Sequence, residues 1–196
     1  GPKSSFPFEY SGKKNPDFKA IDQLFTESSR DGTPFCLFAC SNEPHGPWNK
    51  GDASQYDSST ITLPPYFVDT KETRENMVDY LAEITYFDGQ VGELLTLLDK
   101  HGIAGNTMVV VVSEQGSSFP FGKWTCYDTG LQSACIVRWP GQVKAGSVTD
   151  AMVEYVDIAP TFINAAGGNP KAGIDGVSFL PVLNGETHAH KRFVFG

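Results

Sequence analysis

Five consecutive apolar residues, Met108 to Val112, four of them valine, run directly into Ser113-Glu-Gln-Gly116. A short run of this kind predicts a strand buried on both faces, the arrangement found in parallel sheets covered by helices. Ligands of open parallel sheets bind beyond the carboxyl ends of the strands. The residues just after the run are therefore the first place to look for chemistry. Glu114 and Gln115 carry oxygen donors, Gly116 permits a tight turn, and Lys123 supplies a cation a few residues on. A carboxylate, an amide oxygen and an ammonium gathered at a strand end suit a hard metal ion beside an anion. The pattern by itself is equally compatible with a strand that runs into a solvated loop.

A second apolar run, Pro34-Phe-Cys-Leu-Phe-Ala-Cys40, predicts another buried strand, and it too ends in a polar loop, Ser41-Asn-Glu-Pro-His-Gly-Pro-Trp-Asn49. Pro44 and Pro47 stiffen the backbone on either side of His45, so the imidazole is presented at low entropic cost. Trp48 stands beside it. A third strand is expected over Ser133–Gly141, stopped by Pro140-Gly141.

Helices alternate with these strands, which points to an α/β fold with a mainly parallel sheet flanked by helices. Phe18 to Arg30 places Phe18, Ile21, Leu24 and Phe25 on one face. Glu72 to about Lys100 is the clearest helix, with Met77, Leu81, Ile84, Val91, Leu95 and Leu98 at alternating spacings of four and three. Asp88 falls on that apolar stripe and is expected to be bonded to nearby backbone or hydroxyl groups. His101-Gly102 reads as its C-cap. Asp157 is expected to cap a short helix containing Pro160, Phe162 and Ile163. His188 and His190 read as surface residues. Residues 50–71 form a long loop of the sort that often carries function, with Tyr56 and Tyr66 available to line a substrate.

The 196 residues suit one α/β domain or a large piece of one, and a hydrophobic content of 40% with 19% charged residues supplies a core. A net charge of −8 argues against a nucleic-acid groove, which needs a basic stripe. It leaves room for an anionic small substrate, because a metal and a few cations invert the field locally. No apolar run is long enough to span a membrane, and no signal peptide opens the chain. The four cysteines, Cys36, Cys40, Cys126 and Cys135, lack C-x-x-C spacing; Cys36 and Cys135 fall in strand-like runs and are expected to be buried free thiols.

Several of these stretches occur in one order in a known family. Glu43-Pro-His-Gly-Pro-Trp48, Tyr80-Leu-Ala-Glu-Ile-Thr-Tyr-Phe-Asp-Gly-Gln-Val-Gly92, Ser113-Glu-Gln-Gly116 with Lys123, Ile136-Val-Arg-Trp-Pro-Gly141 and Val156-Asp-Ile-Ala-Pro-Thr161 resemble the type I sulfatases. Within that family the chain is most similar to bacterial heparan N-sulfatase (sulfamidase) enzymes. The resemblance covers nearly all of residues 1–196 and implies the middle to late part of a catalytic domain of alkaline-phosphatase-like fold, incomplete at both ends. It implies hydrolysis of sulfate esters or sulfamates on sulfated sugars, with a periplasmic or secreted location. Glu114 and Gln115 fall where sulfatases place an Asp and an Asn that bind Ca²⁺, each here one methylene longer; Mg²⁺ is the less favoured ion. Lys123 falls on the cation that holds the sulfate. His45 falls on a sulfate-contacting histidine that also serves the leaving group, and Trp48 is taken as a further substrate contact.

One part of the family pattern is missing. Sulfatases convert the Cys or Ser of a Cys/Ser-x-Pro-x-Arg motif to formylglycine, the nucleophile, and none of the cysteines or serines here stands in that motif. The early Asp-Asp pair that completes the metal site is missing too. Both are expected upstream of residue 1, so these residues alone are expected to be inactive and to need the amino-terminal portion as a partner. Strand edges without neighbours would otherwise promote self-association. Two alternatives stand beside this reading: a non-catalytic scaffold or degenerate relative that binds sulfated glycans or other anions, and a phosphatase or phosphodiesterase of the same superfold.

Overall fold

The computed structural model describes residues 15–195. They divide into two compact units. The first holds the chain through Ile103 together with Ser117–Pro120; the second holds Ala104–Gly116 and the chain from Phe121 onward.

The first unit is built on two helices. Helix α1, Phe18–Asp31, starts where the Asp17 carboxylate accepts the Ala20 N–H at 3.2 Å and stops at Gly32, whose φ of 64° few other residues adopt readily. Ile21 and Phe25 are its buried face. Helix α2, Lys71–Lys100, is capped by the Thr70 hydroxyl on the Thr73 N–H and ends at His101, as the sequence leads one to expect. Its 30 residues make it about 45 Å long. Asp22 of α1 accepts from Lys100 at 2.8 Å and from His101 at 2.6 Å, fastening the end of α2 to α1.

Within α2 the buried polar residue is not Asp88. Asp88 is exposed, whereas Glu83 is fully buried and Gln90 nearly so. The heptad-like stripe places Asp88 toward the protein only if the whole stripe is covered, and Ile84 is itself 38% exposed. The loop before α2 is more ordered than its composition suggests. Arg74 pairs with Asp69 and donates to the carbonyls of Ser58 and Ile61, while the Tyr56 hydroxyl meets Thr85 Oγ1 at 2.5 Å.

The second unit contains strands β1, Val109–Val112, and β2, Cys135–Arg138. They pair antiparallel in register Val109–Arg138 to Val112–Cys135. The one ladder among the described residues is thus antiparallel, although the alternation of elements points to parallel pairing. A short helix α3, Asp128–Leu131, lies between the strands in sequence. Helices α4, Ile158–Ala165, and α5, Leu180–Leu183, come after β2.

Three expectations about burial are corrected. The valines of β1 are half-buried rather than enclosed on both faces. Residues 34–40 form no strand, and Phe38 is 73% exposed. Cys36 and Cys135 are free, as expected, but exposed rather than buried, because neither run is covered by a neighbouring layer here.

Asp157 sits at the junction of a 3₁₀ turn, Tyr155–Asp157, with α4. Its carboxylate does not cap α4. It accepts instead from the N–H of Glu154 at 3.0 Å, the N–H of Val177 at 2.8 Å, His190 Nε2 at 3.1 Å and Lys191 Nζ at 2.7 Å. His190, expected from sequence at the surface, has a side chain only 6% exposed because it fills this cluster.

Candidate active-site elements

Each sequence-predicted site residue lies in one of the two units: His45 and Trp48 in the first, Glu114, Gln115 and Lys123 in the second.

In the first unit the loop bearing His45 rests on one stretch of α2. The Trp48 ring meets Tyr80 edge-on at 5.4 Å and stacks on Phe119 at 4.8 Å. Its indole N–H donates to the Pro44 carbonyl at 3.3 Å. Glu83 accepts the N–H groups of Asn49 and Lys50 at 2.6 and 3.0 Å. Gly51, at φ 74°, lies so close to Ala82 that a Cβ there would stand 2.1 Å from the Ala82 carbonyl oxygen. Residues 80–83 are therefore the seat of the loop.

His45 is exposed, and its Nδ1 lies 2.7 Å from the Gly46 carbonyl. A carbonyl only accepts, so Nδ1 carries the hydrogen and Nε2 is left for an incoming ligand. One face of Trp48 is occupied by Phe119, and its indole N–H braces the turn around His45.

In the second unit Glu114 and Gln115 follow β1 after Ser113, and Gln115 Nε2 lies 3.3 Å from Glu114 Oε2. Their turn is set by its neighbours. Gly116 N–H donates to the Gly130 carbonyl, and a Cβ on Gly116 would stand 1.8 Å from the Thr129 carbonyl oxygen. The Ser113 N–H donates to Ala134 O, and Ser113 Oγ accepts from Ala134 N at 2.9 Å. The Tyr155 hydroxyl donates to the Ser113 carbonyl and meets Ser133 Oγ at 2.5 Å.

Lys123 is half-buried, with Nζ 5.4 Å from the Trp124 ring centroid. The loop around it contains two bulky residues in the left-handed region, Phe121 at φ 66° and Trp124 at φ 67°. Each costs on the order of 1–2 kcal/mol, and such strain gathers at functional sites. Thr125 and Thr129 hold the strained turn by donating to the Phe121 carbonyl at 2.9 and 2.5 Å.

No group of three or more His, Cys, Asp or Glu residues among the described residues forms a metal centre. The chain offers instead a carboxylate and an amide oxygen on consecutive residues of a fixed turn. That donor chemistry fits a hard divalent ion as part of a ligand set, and fits zinc poorly.

The family model for Sulfatase matches residues 4–168. This chain belongs to the sulfatase family. An ulvan-active sulfatase from Formosa agariphila is 32% identical over 184 residues, which cover 92% of this chain and 36% of the relative. The human N-sulphoglucosamine sulphohydrolase is 23% identical over 230 residues, covering 95% of this chain and 46% of the relative. The phosphonate monoester hydrolase of Silicibacter pomeroyi superposes with a TM-score of 0.69 at 24% identity, over 87% of this chain and 42% of that structure. The last likeness places the chain in the α/β, alkaline-phosphatase-like fold. The sulfatase-family chain thus spans between about a third and a half of these proteins.

Two residues of the site region are absent from the sequence-predicted set. Glu83 lies off the apolar stripe that draws attention to Asp88; the available signal is a glutamate next to Ala82 on the helix after the His45 loop. Tyr155 adjoins the Val156–Thr161 family stretch, and nothing local to it points at Ser113.

Proposed function

We propose that this chain supplies the sulfate-holding and leaving-group side of a sulfatase active site, in a protein that removes sulfate from a sulfated sugar. The observation that carries the proposal is the Glu114-Gln115 pair at the end of β1, in a turn held by Tyr155 and Gly116, within a chain of the sulfatase family.

Glu114 and Gln115 would hold the divalent ion, which we take to be Ca²⁺, with the remaining ligands outside these residues. A bound divalent ion neutralises charge that develops on the sulfuryl oxygens. Lys123 supplies a second positive charge to the same oxygens, as a compact ammonium on a loop that is already ordered. His45, with Nδ1–H held on the Gly46 carbonyl, meets the leaving group through Nε2, and in its imidazolium form the Nε2–H delivers a proton to the departing alcohol or amine and leaves the neutral ring. Trp48 orients His45 through its contacts with Pro44 and Phe119. The nucleophile is not supplied by these 196 residues, since no Cys or Ser of the chain lies in a Cys/Ser-x-Pro-x-Arg motif.

For the substrate, similarity to an ulvan-active sulfatase and to N-sulphoglucosamine sulphohydrolase supports a sulfated polysaccharide or its oligosaccharides, with N-sulfated glucosamine of heparan type as the specific expectation. A periplasmic or secreted location fits such a substrate; no helix among the described residues is long and apolar enough to cross a membrane. The test is sulfate release from N- and O-sulfated sugars by the intact protein, beside a sulfated-ligand titration of residues 1–196. Binding without turnover by the intact protein supports the scaffold alternative, and turnover by residues 1–196 alone contradicts the assignment of the nucleophile.

A further inference from the structure

The loop that carries His45 is held to α2 at both ends, and α2 makes only one of the two attachments directly. Glu83 Oε1 accepts the Asn49 and Lys50 N–H groups at 2.6 and 3.0 Å, which secures the chain leaving the loop. Gln90, the other buried polar side chain of α2, lies two turns further along the helix, about 10 Å away. Its Nε2 donates to Asn15 Oδ1 at 3.0 Å. Asn15, just ahead of α1, carries the attachment on to the chain entering the loop. The Ser41 hydroxyl donates to the same Oδ1 at 3.1 Å, and Asn15 Nδ2 reaches Glu43 Oε1 at 3.4 Å, the longest bond of the set. Ser41 Oγ in turn accepts the Glu43 N–H at 3.1 Å. Asn42, between these two residues, offers the carbonyl that accepts the His45 N–H at 3.0 Å.

We propose that Asn15 is a positioning residue for His45: it joins Gln90 of α2 to Ser41 and Glu43, and so fixes the entry of the loop as Glu83 fixes its exit. The bearing of Asn15 on sulfate chemistry rests on the role given to His45 above.

Every direction in this network follows from one group. A carboxylate only accepts, so Asn15 must turn its amide nitrogen to Glu43 and its oxygen the other way. That oxygen takes the Ser41 hydrogen, which is free because Ser41 Oγ is already the acceptor for the Glu43 N–H. The same oxygen compels Gln90 to present its nitrogen. Gln90 Oε1 is thereby left buried with no hydrogen-bond partner. Turning the Gln90 amide over would set two acceptor oxygens face to face and release Asn15. The buried orphan is thus the cost of holding Asn15 in its one useful orientation.

The experiment compares the intact protein with Asn15→Ala, Asn15→Asp and the double variant Asn15→Asp/Glu43→Gln, by amide hydrogen exchange without substrate and by kcat and KM for sulfate release. N15D keeps the shape and the acceptor for Ser41 and Gln90 but sets a second carboxylate against Glu43. In N15D/E43Q donor and acceptor change places, at the charge of the wild type. The expected result is a loss of about tenfold in protection at the Glu43 and His45 amides in N15A and N15D. Asn49 and Lys50, held by Glu83, should keep theirs. The kcat should fall by about tenfold at constant KM in the same two variants, because the loop still forms but His45 is misplaced. N15D/E43Q should recover both protection and kcat. Unchanged protection at Glu43 and His45 in N15A and N15D overturns the proposal. So does a loss shared equally by Asn49, Lys50 and the α2 amides, which is the mark of general destabilisation, or a double variant no better than N15D. Lost protection with kcat unchanged separates Asn15 from the reaction. The exchange arm contains no substrate, so a wild type that releases no sulfate overturns the sulfatase reading and leaves the fastening of the loop to be decided on its own.

Discussion

The hydroxyl of Tyr155 donates to the backbone carbonyl of Ser113, the residue that leads into Glu114 and Gln115. The same hydroxyl meets Ser133 Oγ and lies 3.4 Å from the Ala134 carbonyl, so one phenol ties the end of β1 to the segment entering β2. The turn that carries the two proposed metal ligands is thereby fixed from outside that pair. Tyr155→Phe keeps the ring and removes the clamp. It should lower stability by about 1 kcal/mol in urea unfolding and weaken divalent-ion binding to the intact protein by about tenfold in calorimetry. Equal ion affinity in Y155F and wild type would detach Tyr155 from the site.

Gly116 has no room for a side chain. Adding a Cβ would place it 1.8 Å from a backbone oxygen that has no flexible end to move. Gly116→Ala should therefore cost about 1–3 kcal/mol, and the displaced turn should carry Glu114 and Gln115 with it. Thermal unfolding with and without added Ca²⁺ checks this: the variant should show both a lower midpoint and a smaller increase on adding the ion. An unchanged midpoint would mean that the turn is not built as described.

The buried cluster around Asp157 sets the acid limit of the second unit. Burial alone would raise the Asp157 carboxyl, but Lys191, the Val177 and Glu154 N–H groups and His190 outweigh it and hold the group below the usual aspartate range. A lowered value in the folded state contributes stability above the unfolded aspartate range, and that stability is lost as pH falls through the lowered value. Lys191 also pairs with Glu154, itself held low by Lys191 and the Phe195 N–H, so the last described residues depend on the same cluster. Asp157→Ala leaves Lys191 and His190 without their buried partner and should cost about 3–5 kcal/mol in denaturant unfolding. Asp157→Asn should flatten the acid limb of the stability–pH curve. An acid limb in D157N as steep as in wild type would show that other carboxylates set it.

Helices α1 and α2 and both observed strands are legible close to their ends, because the apolar spacings and the caps are written within each segment. The polar-loop residues are legible for the same reason: prolines around His45 and a glycine after Gln115 mark turns wherever the rest of the chain goes. Features that depend on distant coverage are not legible. A run such as Pro34–Cys40 reads as a buried strand only if neighbours cover it, and here Phe38 and Cys36 face outward. Asp88 lies on the periodic stripe and is exposed, whereas Glu83 lies off the stripe and is buried, because the His45 loop folds over that side of α2. His190 looks like a surface histidine until the residues around Asp157, more than 30 positions earlier, are brought to it.

Sulfate chemistry at His45 and Lys123 is the central claim. The most direct measurement is the rate of sulfate release from a sulfated glucosamine oligosaccharide by the intact protein, wild type against His45→Ala and Lys123→Ala. A loss of about 10²–10⁴-fold in kcat is predicted for H45A, with a comparable loss for K123A and the fold retained in both. Sulfate release at the wild-type rate in both variants would contradict it.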